Sequence, residues 1–102
     1  MKNVKITALV QSEYPELMKK YENSLSEPCS VQIGQSWCSQ GEKPEGFCES
    51  AWQNLFPYVL ALASGGGDFF DGWMKNPHSA LISCNDGFRP VSFLLETMEE
   101  RQ

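Results

Sequence analysis

The residue types able to do chemistry in this 102-residue chain are four cysteines, Cys29, Cys38, Cys48 and Cys84, and one histidine, His78. Three of the thiols fall where elements should begin or end. Cys29 follows a proline in a polar turn, Cys48 opens a helix, and Cys84 closes a strand at a hairpin. Side chains from distant parts of a small domain can converge at such ends. Cys29, Cys48 and Cys84, joined by His78 or Cys38, would make a tetrahedral nitrogen and sulfur set for zinc or iron, or hold part of an iron–sulfur cluster. The spacing adds nothing to that reading. The gaps are wide and no Cys-x-x-Cys occurs, so the zinc-ribbon and dithiol-redox signatures are missing. The plainer alternative is that a reduced cysteine packs as a small hydrophobe in the core.

Cys48 alone could be a nucleophile or redox thiol, because unpaired N–H groups and the positive dipole end at a helix start favour a thiolate. Its base would be His78 or one of Glu45, Glu49 and Asp86. Glu49, next in the chain, opposes thiolate formation, and no spacing brings His78 to Cys48. Arg89, in Asp86-Gly87-Phe88-Arg89-Pro90, could grip a carboxylate or phosphate with both guanidinium arms. Its simpler role is an ion pair with a nearby Asp or Glu that fixes the hairpin. Gly65-Gly66-Gly67 follows a helix and lacks the Gly-Lys-Ser/Thr ending, so it is not a phosphate loop. Of the aromatics, Trp52 lies on a helix face and reads as core. Trp73, Phe69 and Phe70 sit in a loop and are candidates for ligand or partner contact.

The elements that must position these residues follow from periodicity. Val4, Ile6, Ala8 and Val10 alternate with Lys5, Thr7 and Leu9, which predicts a half-buried strand over 3–10. Tyr14, Leu17, Met18 and Tyr21 form one stripe of a short amphipathic helix over about 14–22, with Pro15 in its first turn. Val31, Ile33, Gln35 and Trp37 suggest a short strand or extended arm. Trp52, Leu55, Phe56, Val59, Leu60 and Ala63 then mark one long helix, ended by the three glycines and kinked or divided at Pro57. Residues 65–78 make a fourteen-residue loop; loops beyond about 12 residues tend to be functional or mobile. Two apolar runs, 79–84 and 88–95, flank Asn85-Asp86-Gly87, a hairpin signal. The expected class is α+β: a small mixed β-sheet, from the N-terminal strand and the C-terminal hairpin, with two main helices packed on one face.

The length allows one domain with one core. A formal charge of −5, with the basic residues scattered, argues against nucleic acid and against an anionic membrane surface. No stretch is apolar enough for a transmembrane helix. Met1 to Lys5 has neither the apolar region nor the cleavage site of a signal peptide, so a cytoplasmic protein with reduced thiols is expected.

Pro28-Cys29, Pro44-Glu45-Gly46-Phe47-Cys48, Ala51-Trp52, Gly65-Gly66, Trp73-Met74 and Cys84-Asn85-Asp86-Gly87-Phe88-Arg89-Pro90-Val91 together resemble one family of small bacterial proteins. Its members are of about this length, sometimes occur as tandem repeats, and are uncharacterised. The resemblance spans nearly the whole chain and implies that Cys29, Cys48 and Cys84 belong to recurring motifs, whereas Cys38 does not. Relatives often carry a second cysteine where this chain has Ser83. Three functions are therefore expected to compete. The first is a binding or accessory module with a metal or redox-thiol site, and the second an interaction module, a homodimer or partner binder, whose cysteines merely pack. The third is a thiol enzyme using Cys48.

Overall fold

A computed structural model describes residues 1–23 and 29–99. Period-two alternation places Val4, Ile6 and Ala8 on one face of the first strand, β1 (Val4–Gln11), and all three are buried. The remaining elements are α1 (Pro15–Tyr21), β2 (Ser36–Ser39), α2 (Glu49–Ala63), β3 (Ser79–Ser83) and β4 (Val91–Thr97). The strands form one sheet in the order β2-β1-β4-β3, and every neighbouring pair is antiparallel. The α+β class is as expected; the mixed sheet is not. A strand–helix–strand order suggests a parallel pair, but the chain leaving β2 crosses by α2 to the far edge of the sheet. There β3 pairs only with β4.

α2 covers one face. Ala51, Leu55, Val59, Leu62 and Ala63 are buried against Val4, Ile6, Ala8, Ala80, Val91, Phe93 and Leu95 in one apolar cluster. The apolar face predicted from spacing is right at Leu55, Val59 and Ala63, but Phe56 and Leu60 lean outward and are exposed. Pro57 does not divide the helix. It stands on the exposed side, where the Gln53 carbonyl deprived of its N–H partner can turn to water. The helix ends as the glycines demand. Gly65 takes φ +90° and donates to the Leu62 carbonyl, while Gly66 donates to the Ala61 carbonyl, the two bonds of a Schellman stop.

α1 departs furthest from expectation. None of its seven residues is buried, so only one of the two helices packs on the sheet. It is held from its ends instead. The N–H groups of Ser12 and Tyr14 donate to the carbonyls of Pro90 and Phe88, and Glu22 meets Arg89 beyond its last turn. Those bonds also explain where β4 begins. The Phe88 and Pro90 carbonyls are committed to residues 12–14, and Pro90 has no N–H, so pairing with β3 starts at Val91. The predicted hairpin is therefore present, but its connection is seven residues long, 84–90, with an Asx turn in which Asp86 accepts from the Phe88 N–H. Among the described residues no helix is long and apolar enough to cross a membrane.

Candidate interaction surface

The four thiols are free. Cys29 is exposed, and Pro28 before it lies outside the described residues. Cys38, on β2, is exposed, with its Sγ 3.8 Å from Met98 Sδ. Cys48 is the N-cap of α2 as expected; it is half-buried against the core and makes no side-chain cap bond. Its neighbour Glu49 is taken by Lys43 in an ion pair. Cys84 is half-buried, and its Sγ accepts the Val91 N–H at 3.3 Å. His78 sits just before β3, its Nδ1 3.4 Å from the Gly66 carbonyl oxygen. His78 and Cys84 thus bracket β3 from opposite ends, about 20 Å apart at the rise of a strand. Ligands of one zinc ion lie within a few ångströms of each other. Among the described residues no three His, Cys, Asp or Glu side chains gather as a metal set.

Arg89 follows the simpler of its two expectations. Its Nη1 donates to Glu22 Oε2 at 2.8 Å, and its Nη2 lies 2.8 Å from Glu22 Oε1. Both arms are occupied by one carboxylate of the chain itself. The bond to Glu22 is the main cause that raises the guanidinium above its ordinary value, with Asp86 and Glu13 adding to it and desolvation opposing.

Most of the aromatics are structural. Trp37, Phe47, Phe93, Trp52 and Phe56 form a chain of contacts from β2 to α2, closest between Trp37 and Phe47 at 4.8 Å. The long loop splits its own aromatics. Phe69 turns inward and packs edge-on against Tyr58 at 5.1 Å. Phe70 and Trp73 pack edge to face at 5.3 Å and stay 72% and 42% exposed. The loop is closed at its neck, where the Asp68 N–H donates to the Pro77 carbonyl at 2.6 Å. A side chain on Gly67 would overlap that same carbonyl. Asp68, Phe70 and Asp71 all hold φ between 51° and 54°. The left-handed region is tolerable for aspartate, but for phenylalanine it costs about 1 kcal/mol or more.

Beside this loop runs a groove of about 480 Å³, lined by Gln53, Asn54 and Tyr58 of α2, by Phe70 and Trp73, and by Leu81, Ile82 and Ser83. Its floor is the outer edge of the sheet. The Thr97 N–H donates to the His78 carbonyl and the Cys84 N–H to the Val91 carbonyl. By strand alternation Ala80 and Ile82 also turn their backbone groups to β4, and residues 79, 81 and 83 turn theirs outward. The Ser83 carbonyl accepts from Asn54 Nδ2 at 3.0 Å. Among the described residues no hydrogen bond reaches the Leu81 N–H or carbonyl. The sequence marks Phe70 and Trp73 as contact candidates but not Leu81, Tyr58 or Asn54. Nothing in residues 79–83 says that this strand lies at an edge. Compared with models of protein families, with curated proteins and with solved structures, the chain matches none. The site's chemistry rests on its own geometry.

Proposed function

We propose that this chain is a protein-interaction module that receives an extended polypeptide segment in the groove beside β3. Phe70 and Trp73 are its anchors. The observation that carries the reading is one groove holding both an exposed edge-to-face aromatic pair and a sheet edge whose Leu81 backbone groups are unpaired among the described residues. An added strand gains affinity from main-chain bonds to the Leu81 N–H and carbonyl, and specificity from alternate side chains meeting the aromatics. Aromatic side chains are typical anchors because they bring large contact area with few rotatable bonds. The left-handed backbone at Phe70 supports the same reading, since costly conformations are kept where they place a functional group.

The groove lining carries no charged residue, so apolar and small polar segments suit it, and the chain's −5 charge makes nucleic acid a poor partner. Four free thiols suit a reducing compartment such as the cytoplasm. Of the metal candidates Cys29, Cys48, Cys84 and His78, the length of β3 holds His78 away from Cys84, so one ion would not take both.

The test is a selection of displayed random peptides against the protein, counter-selected against the double variant Phe70→Ala, Trp73→Ala. Peptides with alternating apolar residues should be enriched, and each single substitution should weaken them about tenfold. Peptides that bind the double variant equally well, or no enrichment at all, would overturn the proposal.

A further inference from the structure

The strand that forms the floor of the groove narrows the choice of partner. Resting on the interaction reading above, we infer that the groove's own occupant is a second copy of this chain, joined β3 to β3, antiparallel, about a twofold axis at Leu81. Three observations carry this.

The first is hydrogen-bonding symmetry. Residues 79, 81 and 83 face outward, and a twofold at Leu81 sets Leu81 opposite its counterpart and Ser79 opposite Ser83. Every outward-facing residue then meets another outward-facing residue, and the bonds form in both directions. A slip of one residue would set outward groups against inward ones and lose the ladder.

The second is charge. Each copy carries −5 overall, so most pairs of surfaces repel. The sequence Ser79-Ala80-Leu81-Ile82-Ser83 has no ionisable side chain, and the groove lining has no charged one. This edge can meet itself without opposing like charges.

The third is the lack of edge protection. Solitary edge strands are usually blunted by lysine, proline, a bulge or short length. β2, the other edge, is four residues long; β3 has five, with no charge and no proline, and Asn54 covers its Ser83 carbonyl but leaves the Leu81 groups open. A closed twofold contact consumes that edge in both copies and leaves no template for open-ended addition.

The product is one eight-stranded sheet, in the order β2-β1-β4-β3-β3-β4-β1-β2. Leu81, 42% exposed in the single chain, meets its counterpart on the face away from α2. Ala80 and Ile82 of the incoming strand come to the side of Phe70 and Trp73.

Sedimentation equilibrium over a wide concentration range, with amide hydrogen exchange at each end of that range, tests this. The expected mass rises to twice the 11.5 kDa of the chain. The Leu81 amide should become protected as it does so, and Leu81→Lys, a change at an exposed position, should weaken the dimer at least about tenfold. A chain that stays at 11.5 kDa to millimolar concentration overturns the inference, while peptides selected on Phe70 and Trp73 would still uphold the interaction reading. A dimer that survives Leu81→Lys with the Leu81 amide still unprotected also overturns it, because the contact then lies elsewhere. The interaction reading fails separately, if the peptide selection gives no enrichment or its peptides bind the Phe70→Ala, Trp73→Ala double variant equally well.

Discussion

Arg89 and Glu22, 67 positions apart in the chain, face each other fork to fork, Nη1 to Oε2 and Nη2 to Oε1, both at 2.8 Å. This pair, with the bonds from Ser12 and Tyr14, anchors α1, a helix that buries none of its residues. Glu22→Gln should therefore release α1 locally. Amides of 18–22 should exchange several times faster, while the urea midpoint moves little, because the apolar cluster under α2 is untouched. The sign with pH follows from Arg89. Its value is raised in the folded chain, so its contribution is complete below the ordinary guanidinium range and is lost only in strong alkali. Stability across the neutral range should show no slope from the Arg89 titration.

Phe70 should be a position where stability and binding oppose each other. Its φ of 54° suits glycine better than phenylalanine, and its ring is mostly exposed. Phe70→Gly should leave the fold intact and raise stability by up to about 1 kcal/mol in urea titration, while abolishing binding in the groove. A loss of more than about 1 kcal/mol would mean that the ring packs in the folded state more than its exposure indicates.

The face of α2 that the sheet covers can be read by truncation. Leu55 is fully buried, and Leu55→Ala should cost about 2–5 kcal/mol. Leu60, on the same helix but 40% exposed, should cost less than about 1 kcal/mol on Leu60→Ala. Equal losses in chemical denaturation would contradict the orientation of the helix.

The thiols should divide by exposure. Cys29 and Cys38 are exposed and should be alkylated first, with Cys48 and Cys84, half-buried, following slowly or only on unfolding. Mass spectrometry of peptides after timed labelling distinguishes them. Cys48 reacting ahead of Cys38 would revive thiol chemistry at the α2 N-cap. Protein prepared without chelators should carry no stoichiometric zinc or iron, and chelator should leave its melting temperature unchanged.

The features legible along the chain are those that short-range physics decides. Alternation marked β1, and apolar spacing marked α2. Three glycines marked the Schellman stop, and two apolar runs about an Asx turn marked the β3–β4 hairpin. Each signal is carried within one window of the chain, where side-chain period and capping are strong enough to stand alone. The strand at Trp37 is less legible for the complementary reason. Val31, Ile33, Gln35 and Trp37 alternate well, but the segment that pairs is Ser36–Ser39, which sets Trp37 beside Ile6 over Phe47 and Phe93. The tertiary structure settles that β1 pairs with β4, which leaves β3 at an edge. It also decided that Phe69 turns in while Phe70 turns out, and that α1 is tied by an ion pair and not by an apolar face. These outcomes depend on which distant segments win the competition to pair and pack. That competition sets loop closure against burial over the whole chain, and no local pattern records its result.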